Sequence, residues 1–222
     1  MQKKEQIREQ YNSLSNGYDS MLSLQSMWAK LVCKLVWGFP DAAYAGRLLS
    51  RPPSGFSGKL LDVPVGTGLF TCGKYKSLPN ADITCLDYSD GMLGKASERF
   101  AASGIANVEF QQGDVGALPF EDGEFDVVLS MNGFHAFPDK NAAWSEIHRV
   151  LKRGGQFIAC FYITGEVKRT DWFIEHIYVS KGWFTPPFST CNEIKQRLAK
   201  DYSVKEFWTV GSIVGFCAEK KG

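Results

Sequence analysis

The sequence lacks an excess of either charge: 25 Lys and Arg against 24 Asp and Glu leave a net charge of +1 over 222 residues. Phosphate backbones are bound by clustered Lys and Arg, so a nucleic-acid partner is not expected. It also lacks any C-x-x-C pair. Cys33, Cys72, Cys85, Cys160, Cys191 and Cys217 are scattered, several within apolar runs where Cys acts as a small hydrophobe. That spacing excludes a zinc site on paired cysteines and points to a reducing compartment. Long hydrophobic runs are missing as well. The most apolar early stretch, Met21 to Phe39, is broken by Lys30 and Lys34, which argues against a membrane span. Met1 to Gln6 is polar and lacks the apolar core of a signal peptide. A cytoplasmic protein, monomeric or homodimeric, is the expectation.

What is present is enough apolar sequence, 44% of residues, for one sizeable core. Residues 1–57 read as a helical cap: Leu24, Met27, Trp28, Leu31, Val32, Leu35 and Val36 recur at three- and four-residue spacing, and Arg51-Pro52-Pro53-Ser54-Gly55 then stops the helix. Residues 58–222 alternate short apolar runs with amphipathic stretches, the pattern of strand-helix units around a parallel sheet. Strands are expected at 59–63, 81–86, 108–111, 125–130, 156–162, 203–208 and 213–218, with helices near 69–75, 91–102, 141–151 and 191–200. The predicted fold is α/β: a Rossmann-like, seven-stranded, mostly parallel sheet with an antiparallel last strand, flanked by helices. Residues 165–189 interrupt the alternation with Trp172, Phe173, Tyr178, Trp183, Phe184 and Phe188, too aromatic for disorder, and read as a lid insertion.

The first strand of that region runs into Asp62-Val63-Pro64-Val65-Gly66-Thr67-Gly68. In a doubly wound sheet this is where ligands bind, since Gly66 and Gly68 let backbone N–H groups approach without side-chain bulk. Two phosphate readings fail. A dinucleotide fingerprint from Gly66 needs Gly or Ala where Thr71 stands, and a P-loop ending at Gly58-Lys59 needs Gly at Pro53 and Ser or Thr at Leu60. An adenosine-like ligand without pyrophosphate remains. Asp87, closing the second strand, suits both ribose hydroxyls; the competing role of capping the next helix can fall to Asp90. Asp114 ends the third strand, so acids terminate three successive strands along one sheet edge.

With these residues in place the sequence resembles the class I S-adenosylmethionine-dependent methyltransferases, particularly the branch related to quinone biosynthesis. The resemblance is carried by Leu61 to Gly68, Cys85 to Leu93, Gly113 to Phe120, Phe125 to Val128 and Arg149 to Gly155. It implies S-adenosylmethionine as cofactor, with Gly66, Thr67 and Gly68 near its methionine, Asp62 facing the ammonium and Asp87 binding the ribose. It further implies Asp114 and Val115 at the adenine, Tyr88 and Met92 flanking the ring, and Met131 and Asn132 near the sulfonium. Pro64 departs from the family's usual glycine. Its φ is fixed near −65°, so the loop must turn by Gly66. Tyr11-Asn12 and Asn16-Gly17-Tyr18-Asp19 resemble the segment that closes over the cofactor, placing Tyr11 and Tyr18 toward the methyl group.

Methyl transfer from a sulfonium needs alignment more than acid-base help, so no metal is called for. Where the acceptor demands a base, His135, just past the fourth strand, is the candidate; the competing role is to hold its loop. His148 lies in a helix and reads as a packing residue. The branch's usual Arg-Asn pair is replaced by His135-Ala136, which counts against a quinone acceptor. The aromatic insertion and apolar cap suggest a small, partly apolar acceptor. A binding module that has lost transfer is the alternative, and a nicotinamide oxidoreductase is disfavoured by Thr71.

Overall fold

Near-continuous burial along the central strands, on both of their faces, goes with helices on both sides of a single sheet. The computed structural model describes Glu5, Arg8, Glu9, Tyr11, Asn12 and residues 43–222. Helix α1 (Ala43–Leu49) precedes the sheet region. The elements that follow are β1 (Lys59–Asp62), α2 (Cys72–Tyr75), β2 (Asp82–Asp87), α3 (Asp90–Ala102), β3 (Val108–Gln112), β4 (Phe125–Met131) and α4 (Lys140–Val150). Then come β5 (Leu151–Tyr162), α5 (Lys168–Phe173), a π-helical turn (Ile174–Tyr178), α6 (Cys191–Asp201), β6 (Tyr202–Val210) and β7 (Ile213–Lys220).

The sheet order is β3-β2-β1-β4-β5-β7-β6. β1 to β5 pair in parallel, and β7 lies antiparallel between β5 and β6. The seven strands and the antiparallel last strand are as the sequence predicts. Alternate residues of β5 feed opposite cores: Phe157, Ala159 and Phe161 pack with Trp144 and Ile147 of α4, whereas Ile158, Cys160 and Tyr162 pack with Leu48 of α1 and Phe100 of α3. Trp144 lies against Phe157 and Phe216 at centroid distances of 5.3 and 6.0 Å. This aromatic layer holds α4 to the sheet.

The chain reverses strand order between β1 and β4, and the carboxyl ends of β1, β2 and β4 face the crevice that opens there. Helix α2 is shorter than the expected 69–75, because Leu69 to Thr71 form turns. β5 begins five residues before the expected 156, with Leu151 pairing Phe125 across a register shift. Of the cap expected over 1–57, the apolar stripe from Leu24 to Val36 lies outside the described residues. Within the 165–189 insertion, Ile174, Phe184 and Thr185 are buried and Trp172 is exposed.

Candidate cofactor-binding cleft

At the switch point the loop after β1 turns where the sequence requires it. Gly66 has φ +58°, and a Cβ there would meet nothing within 4 Å, so its face is open to the cleft. Gly68, at φ +68°, serves packing instead: a Cβ would stand 2.4 Å from Phe100 Cε1. Pro64 fits because Gly133 carries no side chain, where a Cβ would lie 2.2 Å from Pro64 Cδ. The departure at 64 is thus matched across the cleft floor.

The cleft encloses about 920 Å³ of space, open solvent included, and gathers residues from four strand ends. Pro64, Gly66 and Thr67 come from the loop after β1, Asp87, Tyr88 and Met92 from the β2–α3 junction, Asp114 and Val115 from the loop after β3, and Met131 and Asn132 from β4. Tyr11 also lines it. Of the residues expected at the cofactor, Asp62 and Gly68 do not line the cleft, and Tyr18 lies outside the described residues. Val63, Val65, Leu86 and Gly113 of the motifs that carry the resemblance also line it, and so do five residues outside them, Leu69, Phe70, Ala136, Phe137 and Pro138. Nothing in their residue types set these five apart in the sequence, because apolar residues in such positions read equally as core.

Asp87 is almost fully buried, and its two oxygens accept backbone N–H groups from Gly66 and Ser89, both at 2.9 Å. A carboxylate accepts about four hydrogen bonds, so beyond the backbone bonds from Gly66, Ser89 and Tyr88 it retains capacity for a ligand hydroxyl. Burial pushes its pKa up to about 6 against those backbone bonds. Helix α3 is capped by Ser89, which accepts from Met92 N at 3.1 Å, and not by Asp87 or Asp90. Asp114 accepts from Gly116 N at 2.9 Å, fixing the turn that presents it to the cleft.

Asp62 sits beneath the loop, wholly enclosed. Its Oδ2 accepts the Tyr75 hydroxyl at 2.7 Å, and burial, moderated by that bond, raises its pKa to about 7. Asp62 is enclosed and does not line the cleft, which rules out direct contact with an ammonium there and leaves the expected contact through water. Asn132 has φ +56°, a left-handed conformation that Asn tolerates, and its N–H donates to Cys160 O at 2.7 Å.

His135 is corrected as a base. Its ring is buried, stacks on Phe184 at 3.8 Å and does not line the cleft, while its carbonyl accepts from Thr185 N at 2.8 Å. Burial and the Lys140 ammonium push its pKa down to about 3. The loop-holding role is the one the geometry supports. His148 packs edge-on against Tyr202 at 5.5 Å, and His176 stacks on Trp172 at 4.6 Å.

An open α/β sheet with a glycine loop and acids from successive strand ends around one cleft is a doubly wound α/β arrangement with its crevice at the switch point. Residues 60–155 match the family model for a methyltransferase domain. The chain is 35% identical over 155 residues to demethylmenaquinone methyltransferase of Lactococcus lactis, covering 69% of this chain and 57% of that protein. The chain thus spans little more than half the length of the curated relatives it matches. A methyltransferase dependent on S-adenosylmethionine from Aquifex aeolicus shares the fold, with a TM-score of 0.63, 17% identity and coverage of 91% and 97% of the two chains. So does the cyclase SpnF, with a TM-score of 0.75, 16% identity and coverage of 97% and 95%. Residues 60–155 thus carry a methyltransferase domain, and the chain is similar to the class I S-adenosylmethionine-dependent methyltransferases of the quinone-biosynthesis branch.

Proposed function

We propose that this protein transfers a methyl group from S-adenosylmethionine to a small, partly apolar acceptor by direct in-line displacement. The observation that carries the reading is the cleft's polarity. Asp87 and Asp114 are the charged residues that line it, the other lining residues are neutral and mostly apolar, and no Lys or Arg lines it among the described residues. A cleft of that charge suits a cofactor with a net positive charge and disfavours an anionic dinucleotide. The space at Gly66 and the remaining hydrogen-bonding capacity of Asp87 fit an adenosyl ligand.

Once bound, the cofactor supplies an electrophilic methyl and a thioether leaving group. The protein's part is to align and to exclude water. Asp87 holds the ribose while its bonds to Gly66 and Ser89 lock loop and helix together. Tyr88 and Met92 offer faces for the adenine, and Asp114 with Val115 fixes its edge. Met131 and Asn132 line the cleft as well, and would lie near the sulfonium of a bound cofactor. Phe70, Phe137 and Pro138 leave an apolar surface for the acceptor. The relatives' printed substrate, a demethylmenaquinone, has the apolar character this wall favours, but Ala136 removes a polar side chain from the position after His135.

No helix among the described residues is long and apolar enough to cross a membrane. The reading includes a cytoplasmic location, a monomer or homodimer and no nucleic-acid partner, supported by the even charge balance. The test is incubation with donor labelled in the methyl group and a metabolite extract. Label recovered in a small molecule supports transfer; binding of S-adenosylhomocysteine without transfer to any extract favours a cofactor-binding module instead.

A further inference from the structure

Two consecutive residues far from the cleft in sequence connect its two sides. Asn12 Oδ1 accepts the backbone N–H of Gly91 at 3.0 Å and the hydroxyl of Ser89, and Asn12 Nδ2 donates to Asp90 Oδ1 at 2.8 Å. These contacts fasten it to the start of α3, beside Asp87. Tyr11, which lines the cleft, donates its hydroxyl to the carbonyl of Trp183 at 2.9 Å, within the aromatic insertion. Two residues further on, Thr185 N donates to His135 O at 2.8 Å, and Lys140 Nζ bonds both Thr185 O and Phe137 O. Phe137 returns to the cleft wall.

The bonds therefore run from Asp87 through Ser89, Asn12, Tyr11, Trp183, Thr185 and Lys140 to Phe137. From this belt we infer that Tyr11 and Asn12 are positioning residues that couple the cofactor's ribose end to the acceptor wall, so that filling the cofactor site orders the insertion. The inference rests on the cofactor reading above. Neither residue is assigned a chemical step. Asn12 holds the strap at the helix start, and Tyr11 transmits that hold to residues 183–185. The physical basis is that coupling between sites is carried by contiguous bonded and packed groups, and this chain of bonds supplies that continuity.

The test measures binding of S-adenosylhomocysteine by calorimetry and amide hydrogen exchange with and without it, on the full chain. Wild-type protein should bind, with added protection at residues 89–92 and 183–185. Asn12→Ala removes three hydrogen bonds, one of them to the Asp90 carboxylate, and should weaken binding about three- to tenfold and lose ligand-induced protection at 183–185. Tyr11→Phe should keep protection at 89–92 and lose it at 183–185. An unchanged melting temperature without ligand separates these effects from misfolding. Full protection at 183–185 in Tyr11→Phe, or wild-type affinity in Asn12→Ala, overturns the coupling while leaving the cofactor reading intact. Failure of the wild-type chain to bind overturns both.

Discussion

Replacing Asp62 by Asn should stabilise the unliganded protein increasingly as pH rises. The carboxyl is wholly enclosed, and its pKa rises from 3.8 to about 7, chiefly through burial. A raised folded-state pKa means that the native protein holds a proton the unfolded chain releases. Stability from this group is full below about pH 4 and is lost as pH climbs through about 7. At about 1.4 kcal/mol per unit over roughly 3 units, the loss approaches about 4 kcal/mol by pH 8. The amide introduced by Asp62→Asn keeps the shape and an acceptor for the Tyr75 hydroxyl but never ionises. Urea unfolding of both proteins from pH 4 to 9 measures the difference directly, with other titrating groups cancelling. The variant should gain on wild type between about pH 4 and pH 7 and level off above that. A difference that stays flat with pH, or that favours wild type at pH 8, refutes the reasoning. The same substitution should also lower affinity for a ligand ammonium above the loop, read by titration with S-adenosylhomocysteine.

Asp87→Ala should weaken S-adenosylhomocysteine binding by about 1–3 kcal/mol, about 5- to 150-fold in Kd, through lost charged hydrogen bonds, as calorimetry would show. Gly68→Ala should cost about 2–4 kcal/mol of stability, combining a left-handed backbone with a clash on Phe100, measurable by urea unfolding. His135→Asn should leave the pH dependence of methyl transfer unchanged between pH 5 and 9, because the buried imidazole is held neutral at a pKa of about 3. Disappearance of a limb near pH 6–7 in that variant would restore His135 as the base.

Much of the fold was legible because strand and helix periodicities differ and because acids and glycines at strand ends have few structural reasons to recur. Asp87, Asp114 and Gly66 sit at the cleft as their positions suggested. Gly68 and Asp62 were harder: whether a glycine clears space for a ligand or for Phe100 depends on a helix distant in sequence, and burial of a carboxyl depends on Tyr75 closing over it. His135 showed the same limit. A histidine after the fourth strand faces either the cleft or the insertion, and the stack on Phe184 that decides it joins residues far apart in the chain. Pro64 looked like a liability until Gly133 appeared opposite it.

The central claim is that this cleft binds an adenosyl cofactor through the acids at its strand ends. Calorimetric titration of the wild-type chain with S-adenosylhomocysteine and, separately, with NAD tests it most directly. One-to-one binding of S-adenosylhomocysteine, with no heat from NAD, is the predicted result. Binding of NAD without S-adenosylhomocysteine would contradict the account.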